Sequence, residues 1–317
     1  MVFPNFIIEK KCPSCNSREK ENLFCAPPCF VSICKKCGLV RLNPHWTKQK
    51  YNTFYREEYD SSNRPLIFNE KIKKSSLIQM RMCLKKANSK LIPQNILDIG
   101  SGTGENIISM KNLLWPSAKY FAIEPSNFCK KKLIGNNISV LSSDVESNWV
   151  KEHKNKFDLI ILKYVLEHLL HPISVLKKIR KTLTEKGVIY IAVPNLNCPD
   201  LPLRNFFEVP HAFYFTKNTL KNIILQGGFE PLLIWDDNKL YPKLIFALCK
   251  KSQEKQKVKI NIDEYFKSKN LIFFNLTKEN SEIYLKKLLI LKKIKAKLRV
   301  PLNKMMIFLH HKFGILF

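Results

Sequence analysis

The sequence predicts an α/β fold built on a seven-stranded, mainly parallel sheet that ends in an antiparallel hairpin. Three observations support this fold class. Short apolar runs alternate with helix-like stretches through the middle of the chain, and the glycine-rich turn Gly100–Gly104 follows the first run. A polar turn at 236–239 separates the last two runs, so these two are expected to pair antiparallel. Alternation of this kind implies a sheet that is covered by helices on both faces.

Seven apolar runs are expected to form the strands. They are Asn95–Ile99, Lys119–Ile123, Ile138–Leu141, Phe157–Leu162, Gly187–Val193, Phe229–Trp235 and Lys243–Cys249. Helices are expected at about 105–114, 126–134, 172–183 and 217–226, between these runs. The pair Gly227-Gly228 is typical of a helix end.

Four cysteines near the amino terminus form two C-x2-C pairs, Cys12 with Cys15 and Cys34 with Cys37. Four thiolates at this spacing suit a tetrahedral Zn²⁺ ion. A segment this short buries little core, so a bound metal would supply folding free energy. We therefore predict a small zinc-ribbon module over residues 1–45, in which Zn²⁺ is structural.

The rest of the chain is expected to divide into three parts. A linking helical segment covers 46–90, the sheet domain covers 91–250, and a basic helical tail covers 251–317. The formal net charge is +28, which is compatible with nucleic-acid binding, with an anionic membrane surface, or with a compositional drift toward lysine. Residues 283–317 carry nine basic side chains and no acidic one, which suits either a bilayer surface or packing on protein.

Neither a secretory signal nor an apolar run of the ~18 residues needed to span a membrane is evident. The chain has ten cysteines, and without a secretory signal these indicate thiols and metal ligands in a reducing compartment. We expect a cytoplasmic protein, with a peripheral place at the inner membrane face if the tail binds lipid.

The turn Gly100-Ser101-Gly102-Thr103-Gly104 lies between a strand that contains Asp98 and the next helix. Glycine permits positive φ and lets a ligand approach the backbone. The free N–H groups of the following helix point into the same space, and open α/β sheets bind nucleotides at the carboxyl ends of their strands. The turn therefore predicts a nucleoside-type ligand, with an ordinary strand-to-helix loop as the alternative.

Acidic residues follow the next two strands. Glu124 ends the second strand, where a carboxylate can accept two hydrogen bonds from a ribose. Asp144 follows the third strand and can accept the amine of an adenine, with Val145 against the ring; an Asx turn is the alternative. Glu167 and His168 follow the fourth strand, near the reacting end of the expected crevice, although a helix-capping pair is equally consistent with them.

The order and spacing of these motifs resemble those of the class I S-adenosylmethionine-dependent methyltransferases over most of the chain. Asp98–Gly104 looks like their first motif, while Val165–His168 and His211–Thr216 resemble later ones. The resemblance implies a Rossmann-like sheet that binds S-adenosyl-L-methionine. The predicted cofactor-binding residues are Asp98, Gly100, Ser101, Gly102, Gly104, Glu124, Asp144 and Val145.

The cysteine module that runs into Cys37–Val40 is similar to a subgroup associated with sugar and cell-surface polysaccharide biosynthesis. The sugar C-methyltransferases of that subgroup have a long second carboxyl-terminal domain, which the residues after Cys249 do not match. O-methylation of a sugar or glycan precursor is therefore favoured, and a lipid- or quinone-like acceptor stays open. A non-catalytic cofactor-binding scaffold also stays open.

Two other activities are disfavoured. Lys163–Leu166 is not the Asn/Asp-Pro-Pro-aromatic turn that base N-methylating enzymes use, which counts against a nucleic-acid substrate, although RNA is not excluded. The glycine turn also lacks the second half of the dinucleotide fingerprint, which counts against a dehydrogenase.

A hydroxyl acceptor gains from a general base, whose contribution is typically ~10²–10⁴-fold. The candidates are His168, with Glu167 beside it, and His211. His211 lies in the connection 194–215, which contains several aromatic residues. Long connections of this kind are usually functional, and a packed aromatic loop is the alternative.

Overall fold

The computed structural model describes residues 4–58, 70–199, 201–237, 241–254, 258 and 260–298. In chain order the strands are β1 (Phe6–Ile7), β2 (Lys20–Ala26), β3 (Cys29–Cys34), β4 (Val40–Asn43), β5 (His45–Trp46), β6 (Asn95–Ile99), β7 (Lys119–Ile123), β8 (Ser139–Ser142), β9 (Phe157–Lys163), β10 (Leu183–Pro194), β11 (Phe213–Tyr214), β12 (Phe229–Asp237) and β13 (Tyr241–Lys251). The helices are α1 (Lys48–Thr53), α2 (Glu70–Lys86), α3 (Glu105–Leu113), α4 (Asn127–Gly135), α5 (Pro172–Arg180), α6 (Leu203–Phe206), α7 (Lys217–Gln226) and α8 (Asp263–Leu298). Short helical segments of other types lie at Phe54–Glu58, Asn148–His153 and Leu166–His168.

A seven-stranded sheet in the order β12-β13-β10-β9-β6-β7-β8 forms the centre of the fold. Strands β6 to β10 run parallel to one another, and β13 lies antiparallel between β10 and β12. The predicted α/β fold with a seven-stranded sheet is therefore confirmed, and so is its terminal hairpin. The strand order reverses between β6 and β9, which is where open α/β sheets form their ligand crevice.

Both faces of this sheet are buried, as the continuous apolar runs indicated. Along β9, Leu159 and Ile161 pack into the core on one face, while Ile160 and Leu162 pack into the core on the other. This alternation follows from the two-residue period of a strand. A strand without a solvent-facing side needs apolar residues at consecutive positions, and β9 has them from Leu159 to Leu162.

The predicted element bounds agree with the structure to within about two residues, except around α5 and β10. Helix α5 was expected to reach residue 183 but ends at Arg180, and β10 begins at Leu183 instead of Gly187. The pairing of β10 with β9 shifts register between Leu183 and Val188. The strand therefore starts before this irregularity, in a stretch whose polar residues Thr184–Lys186 hide it from a search for apolar runs.

A second, four-stranded sheet has the order β11-β4-β3-β2. Three of its strands come from the amino-terminal cysteine module, which we define as residues 4–46. The fourth, β11, comes from the connection that follows β10. A short two-stranded pairing of β1 with β5 completes the module.

The chain clusters into two units, Met1–Lys269 and Asn270–Phe317. Within the first unit, the start of α8 contacts β2: Lys269 Nζ lies 2.7 Å from Glu21 Oε1, and the Tyr265 hydroxyl donates to the same carboxylate. In the second unit the helix continues to Leu298, and the predicted tail residues 299–317 lie outside the described residues. The domain boundaries expected at 45, 90 and 250 stay predictions.

Among the described residues, no helix combines the length and the apolar character that crossing a bilayer requires.

Candidate active site

A cleft of about 180 Å³ lies at the carboxyl ends of the parallel strands, where β6, β7 and β8 meet α1. Of the predicted site residues, Gly100, Glu124, Asp144, Val145 and His168 line it. The other predicted residues do not line the cleft but lie beside these in the sequence or in space. They are Asp98, Ser101, Gly102, Gly104, Glu167 and His211.

The glycine turn adopts the backbone conformation for which glycine was expected. Gly100 has φ +69° and Gly104, the first residue flanking α3, has φ +84°. A Cβ at Gly100 would lie 2.5 Å from Cγ2 of Val165, so the turn also needs glycine for space. This close approach places the glycine turn against Val165, which lies two residues before Glu167 and three residues before His168.

Glu124 lies at the end of β7 with 5 % of its surface exposed. Its Oε2 accepts a hydrogen bond from Gly102 N at 2.6 Å, and its Oε1 accepts one from Ser126 N at 3.0 Å. The carboxylate thus joins the glycine turn to the next strand end. Each carboxylate oxygen has a second lone-pair site, so these contacts are compatible with the predicted ribose hydrogen bonds.

Asp98 is fully buried beneath the turn. Burial and the neighbouring Glu124 carboxylate raise the pKa of Asp98 to about 8, although Lys163 opposes the shift. Burial likewise lowers the pKa of Lys163 to about 8, against the attraction of Asp98 and Glu105. Among the described residues, neither Asp98 Oδ2 nor the Ser101 hydroxyl has a hydrogen-bond partner. Buried polar atoms of this kind are expected to find a partner, and a bound ligand would supply one.

Asp144 occupies the turn after β8, opposite α1. Its Oδ1 accepts a hydrogen bond from Glu146 N at 2.7 Å, which is the Asx turn that the sequence left open. Its Oδ2 lies 3.4 Å from Lys48 Nζ, which also lies 2.7 Å from Glu146 Oε2. Val145 is 9 % exposed. The Asx turn and the predicted contact with adenine are compatible, because the turn uses a single oxygen.

Glu167 and His211 come together with His168, which lines the cleft, although His211 is distant in sequence. The ring centroids of His168 and His211 lie 4.5 Å apart, and His168 Nε2 lies 3.8 Å from Glu167 Oε1. The Glu167 side chain is 1 % exposed. Neither of its carboxylate oxygens has a hydrogen-bond partner within the described ranges. We call these three residues the histidine cluster.

Burial governs the protonation of two residues of the histidine cluster, Glu167 and His168. It raises the pKa of Glu167 to about 8. Burial, and then the neighbouring His211, hold the pKa of His168 well below its usual range. His168 is therefore a neutral imidazole near pH 7 and has a nitrogen that can accept a proton.

Tyr55 joins this cluster from the linking segment. Its hydroxyl lies 2.7 Å from Nδ1 of His168, and Tyr51 stacks beside it with a centroid distance of 6.4 Å. From the sequence, packing against the next domain is the default prediction for Tyr51 and Tyr55, and a place near a substrate is the alternative. Lys48 was missed entirely, because a lysine at the start of a short helix gives no local signal of a contact with Asp144.

The four cysteines of the two C-x2-C pairs also converge. Cys12 Sγ lies 3.6 Å from Cys37 Sγ, and Cys15 Sγ lies 3.4 Å from Cys34 Sγ. All four sulfur atoms lie within 4.8 Å of one another. A tetrahedral Zn²⁺ ion with Zn–S bonds of about 2.3 Å separates its sulfur ligands by about 3.8 Å. The donor set and its dimensions therefore fit a structural Zn²⁺ ion.

A family described as "Methyltransferase domain" matches residues 51–234, which is more than half of the chain. The chain belongs to this family. The matched range contains the glycine turn, the acids that follow β7 and β8, and the histidine cluster. The protein is accordingly an S-adenosylmethionine-dependent methyltransferase.

Solved structures show weaker similarity. "PigF with SAH" is 18 % identical over 56 % of this chain and 64 % of its own, with a TM-score of 0.42. A SAM-dependent methyltransferase from Aquifex aeolicus is 17 % identical over 58 % of this chain and 98 % of its own, with a TM-score of 0.44. Human N-acetylserotonin methyltransferase in complex with SAM is 18 % identical over 65 % of this chain and 60 % of its own, with a TM-score of 0.48. Similarities of this size do not indicate an acceptor, and no curated protein sequence matches the chain.

Proposed function

We propose that this methyltransferase transfers the methyl group of S-adenosyl-L-methionine to a hydroxyl oxygen of a sugar or glycan precursor. The observation that carries the proposal is the hydrogen bond of 2.7 Å between Tyr55 and His168 at one end of the cleft. Gly100 of the glycine turn lines the same cleft. A group that can take a proton therefore lies within one cleft with the predicted cofactor seat.

The cofactor seat consists of the eight predicted residues around the turn. Asp98 Oδ2 and the Ser101 hydroxyl are the buried atoms that a ligand would satisfy. Gly100, Gly102 and Gly104 hold the backbone open to the amino-acid end of the cofactor. Glu124 would take the ribose, and Asp144 with Val145 would take the adenine.

Methyl transfer to oxygen needs one proton acceptor and an in-line approach. Bound S-adenosyl-L-methionine would supply an activated methyl group: the acceptor oxygen would take the methyl carbon, and the electron pair of the carbon–sulfur bond would leave with sulfur as a neutral thioether. The hydroxyl proton passes to the neutral imidazole of His168, directly or through the Tyr55 hydroxyl. Positioning in such a site supplies up to ~7–11 kcal/mol, and the base adds ~10²–10⁴-fold.

Glu167 and His211 support this proton transfer. The buried Glu167 carboxyl lies 3.8 Å from His168 Nε2. A positive charge on His168 would favour the ionised form of this carboxyl and so oppose its raised pKa, because opposite charges attract strongly where water is excluded. His211 packs against the ring of His168 and is the second candidate for the base.

The four cysteines are proposed to hold Zn²⁺, which would cross-link the amino-terminal module and take no part in the chemistry. The proposed acceptor class, a sugar or glycan precursor, rests on a sequence resemblance. The cysteine module, together with the start of the methyltransferase domain, resembles the corresponding part of the subgroup associated with polysaccharide biosynthesis.

Calorimetry and a methyl-transfer assay test the proposal. We expect the full chain to bind S-adenosyl-L-methionine and not NAD, and to methylate at least one member of a panel of sugar nucleotides and glycans. His168→Gln and His211→Gln should each lower turnover without changing cofactor affinity, by roughly 10²-fold or more for the residue that is the base. His171→Gln is the matched control, because His171 is exposed and lies three residues from His168.

The outcomes separate the alternatives. Absent binding of S-adenosyl-L-methionine would contradict the cofactor assignment. Binding without transfer to any acceptor class, including lipids, quinones and RNA, would instead favour a scaffold protein.

We also propose that the carboxyl-terminal tail attaches the protein to an anionic membrane surface. Residues 283–317 contain nine basic and no acidic residues, and each basic side chain near such a surface contributes ~1 kcal/mol. In the described part of the second unit, Phe274 is 68 % exposed and Phe273 is 41 % exposed. Exposed aromatic side chains beside basic ones suit the interface of a bilayer.

Liposome co-sedimentation of the full chain tests this attachment. We expect binding to vesicles with anionic lipid and none to zwitterionic vesicles. A Lys292→Glu, Lys293→Glu, Lys295→Glu variant should lose at least tenfold in affinity. A control that reverses three exposed lysines elsewhere, Lys119, Lys131 and Lys154, should lose much less. Equal, absent binding to both vesicle types would overturn the proposal, and so would a preference for RNA over vesicles.

A further inference from the structure

The amino-terminal cysteine module and the methyltransferase domain share a sheet. Strand β11 of the methyltransferase domain pairs antiparallel with β4 of the module, with Phe213 opposite Arg41 and Tyr214 opposite Val40. Leu42 N also donates to Ala212 O at 3.1 Å. The sheet β11-β4-β3-β2 therefore has one edge strand that belongs to the other part of the chain.

This edge strand, Phe213–Tyr214, begins two residues after His211, and Ala212 lies between them. Ala212 N donates to the backbone oxygen of Glu167 at 2.9 Å, while the oxygen of Ala212 accepts from Leu42. A single residue thus hydrogen-bonds to the cysteine module on one side and to the histidine cluster on the other. The residue before His211 is held as well, since Tyr51 donates its hydroxyl to Pro210 O at 3.0 Å.

The cysteine site lies close to β4 along the chain. Cys34 ends β3, which pairs with β4, and Cys37 precedes Val40 by three residues. Cys34 N donates to Leu39 O at 3.0 Å, and Gly38 N donates to Cys34 O at 2.9 Å. A metal held by Cys34 and Cys37 would fix the turn from which β4 starts.

The cofactor side of the cleft is held by different contacts. The hydrogen bonds of the Glu124 carboxylate come from Gly102 and Ser126, and Gly100 N donates to Ile123 O at 2.8 Å. These residues belong to β6, β7 and their loops, and they are secured within the seven-stranded sheet. If β11 loses β4 as its pairing partner, the histidine cluster therefore loses contacts directly, whereas the glycine turn keeps its own.

We propose that the cysteine module is a positioning frame for the histidine cluster, so that metal at the four cysteines controls methyl transfer and leaves cofactor binding in place. The inference rests on the proposed function for its effect on turnover. Without the metal, four neighbouring thiols have no common ligand, β4 loses its fixed start, and the pairing of β4 with β11 opens. His211 and Glu167 then lose the backbone contacts that hold them beside His168.

Hydrogen–deuterium exchange of the full chain, with Zn²⁺ and after its removal by a chelator, tests this frame. We expect faster exchange in the peptide that covers 208–216 and unchanged exchange in the peptide that covers 95–104. Turnover should fall at least tenfold, and the dissociation constant of S-adenosyl-L-methionine should stay within about threefold. Returning Zn²⁺ should restore both exchange and turnover.

Two variants accompany the chelator experiment. Cys37→Ser should bind less metal and reproduce the effect on the 208–216 peptide. Cys25→Ser is the matched control: Cys25 is an exposed cysteine of the same module that lies outside the four-cysteine cluster. It should leave metal content, exchange and turnover unchanged. If Cys37→Ser does not fold, the chelator arm still decides.

Three results would overturn the proposal. The protein as purified could hold no metal at the four cysteines. Metal removal could leave exchange at 208–216 and turnover unchanged, which would make the module independent of the active site. Exchange could instead rise throughout the chain together with a loss of cofactor affinity, which would mean a general folding role. Failure of the proposed function gives a different pattern, because a metal-loaded chain would then show the exchange effect but no cofactor binding.

Discussion

The hydroxyl of Tyr55 lies 2.7 Å from Nδ1 of His168, across a sequence separation of 113 residues. The tyrosine belongs to the segment between the cysteine module and the methyltransferase domain, and the histidine follows strand β9. This contact joins the segment 46–90 to the histidine cluster beside the cleft. It gives the proton-accepting group of the proposed reaction a defined orientation.

Tyr55→Phe keeps the stacked ring and removes the hydroxyl. We expect turnover to fall roughly 10- to 100-fold, because a lost hydrogen bond to a group that becomes charged is equivalent to about 1.5–3 kcal/mol. Cofactor affinity should not change. Tyr120→Phe is the control, since the Tyr120 hydroxyl bonds to Trp115 O at 2.9 Å away from the cleft. Equal losses in both variants would contradict a specific role for Tyr55.

Glu124→Gln should weaken binding of S-adenosyl-L-methionine roughly 10- to 100-fold by calorimetry. The amide retains one acceptor oxygen, so it cannot serve the N–H groups of both Gly102 and Ser126 and also accept from a ribose. A hydrogen bond to a charged group contributes about 1.5–3 kcal/mol. Its loss corresponds to the expected 10- to 100-fold weaker binding. Glu152→Gln is the matched control, because it makes the same substitution at an exposed glutamate. An unchanged dissociation constant for Glu124→Gln would remove this carboxylate from the cofactor seat.

Gly100→Ala should destabilise the fold and lower cofactor affinity. The positive φ disfavours any Cβ by roughly 1–2 kcal/mol, and the new methyl group would meet Cγ2 of Val165 at 2.5 Å. Thermal unfolding of Gly100→Ala, Val165→Ala and the double variant separates these two causes. The double variant should recover the steric part of the loss and retain the conformational part. Strict additivity of the two single effects would exclude the predicted clash.

Glu167→Gln should change how stability depends on pH. The folded-state pKa of Glu167 is raised by burial to about 8, whereas a carboxyl in the unfolded chain titrates near ~4.3. A group with a raised folded-state pKa contributes stability below the unfolded pKa, and that stability is lost as pH rises through the folded pKa. Glutamine cannot ionise, so the variant should gain stability relative to the wild type between about pH 5 and about pH 8.

Thermal melts across this pH range provide the measurement for Glu167. Glu19→Gln is the comparison, because Glu19 is exposed and its substitution should shift the whole curve by a constant amount or not at all. Parallel curves for the wild type and Glu167→Gln would contradict the raised pKa.

The seven-stranded sheet could be predicted because its strands are marked locally. A buried strand such as Phe157–Lys163 requires apolar residues at consecutive positions, and the loop that follows β6 requires glycine where φ is positive and space is short. Both requirements act on neighbouring residues, so they are visible in the sequence.

The contacts that complete the site could not be predicted, because they depend on packing between distant segments. Nothing near Lys48 indicates that it will lie beside Asp144, and nothing near Phe213 indicates that it will pair with Arg41. The sequence named His168 and His211 separately, but their contact depends on the placement of the whole connection after β10. Tertiary structure, not local pattern, brings such residues together.

The pairing of β4 with β11 has a consequence for the choice of fragments and domain exchanges in this enzyme. The similarity to the methyltransferase domain family begins at residue 51, after β4 has ended, so a fragment chosen by that similarity would leave β11 as an unpaired edge. Such a fragment would keep the cofactor turn and lose the neighbour that secures the chain next to His211. We therefore expect the smallest transferable enzyme to be larger than the family match and to include the cysteine module from before its first cysteine pair.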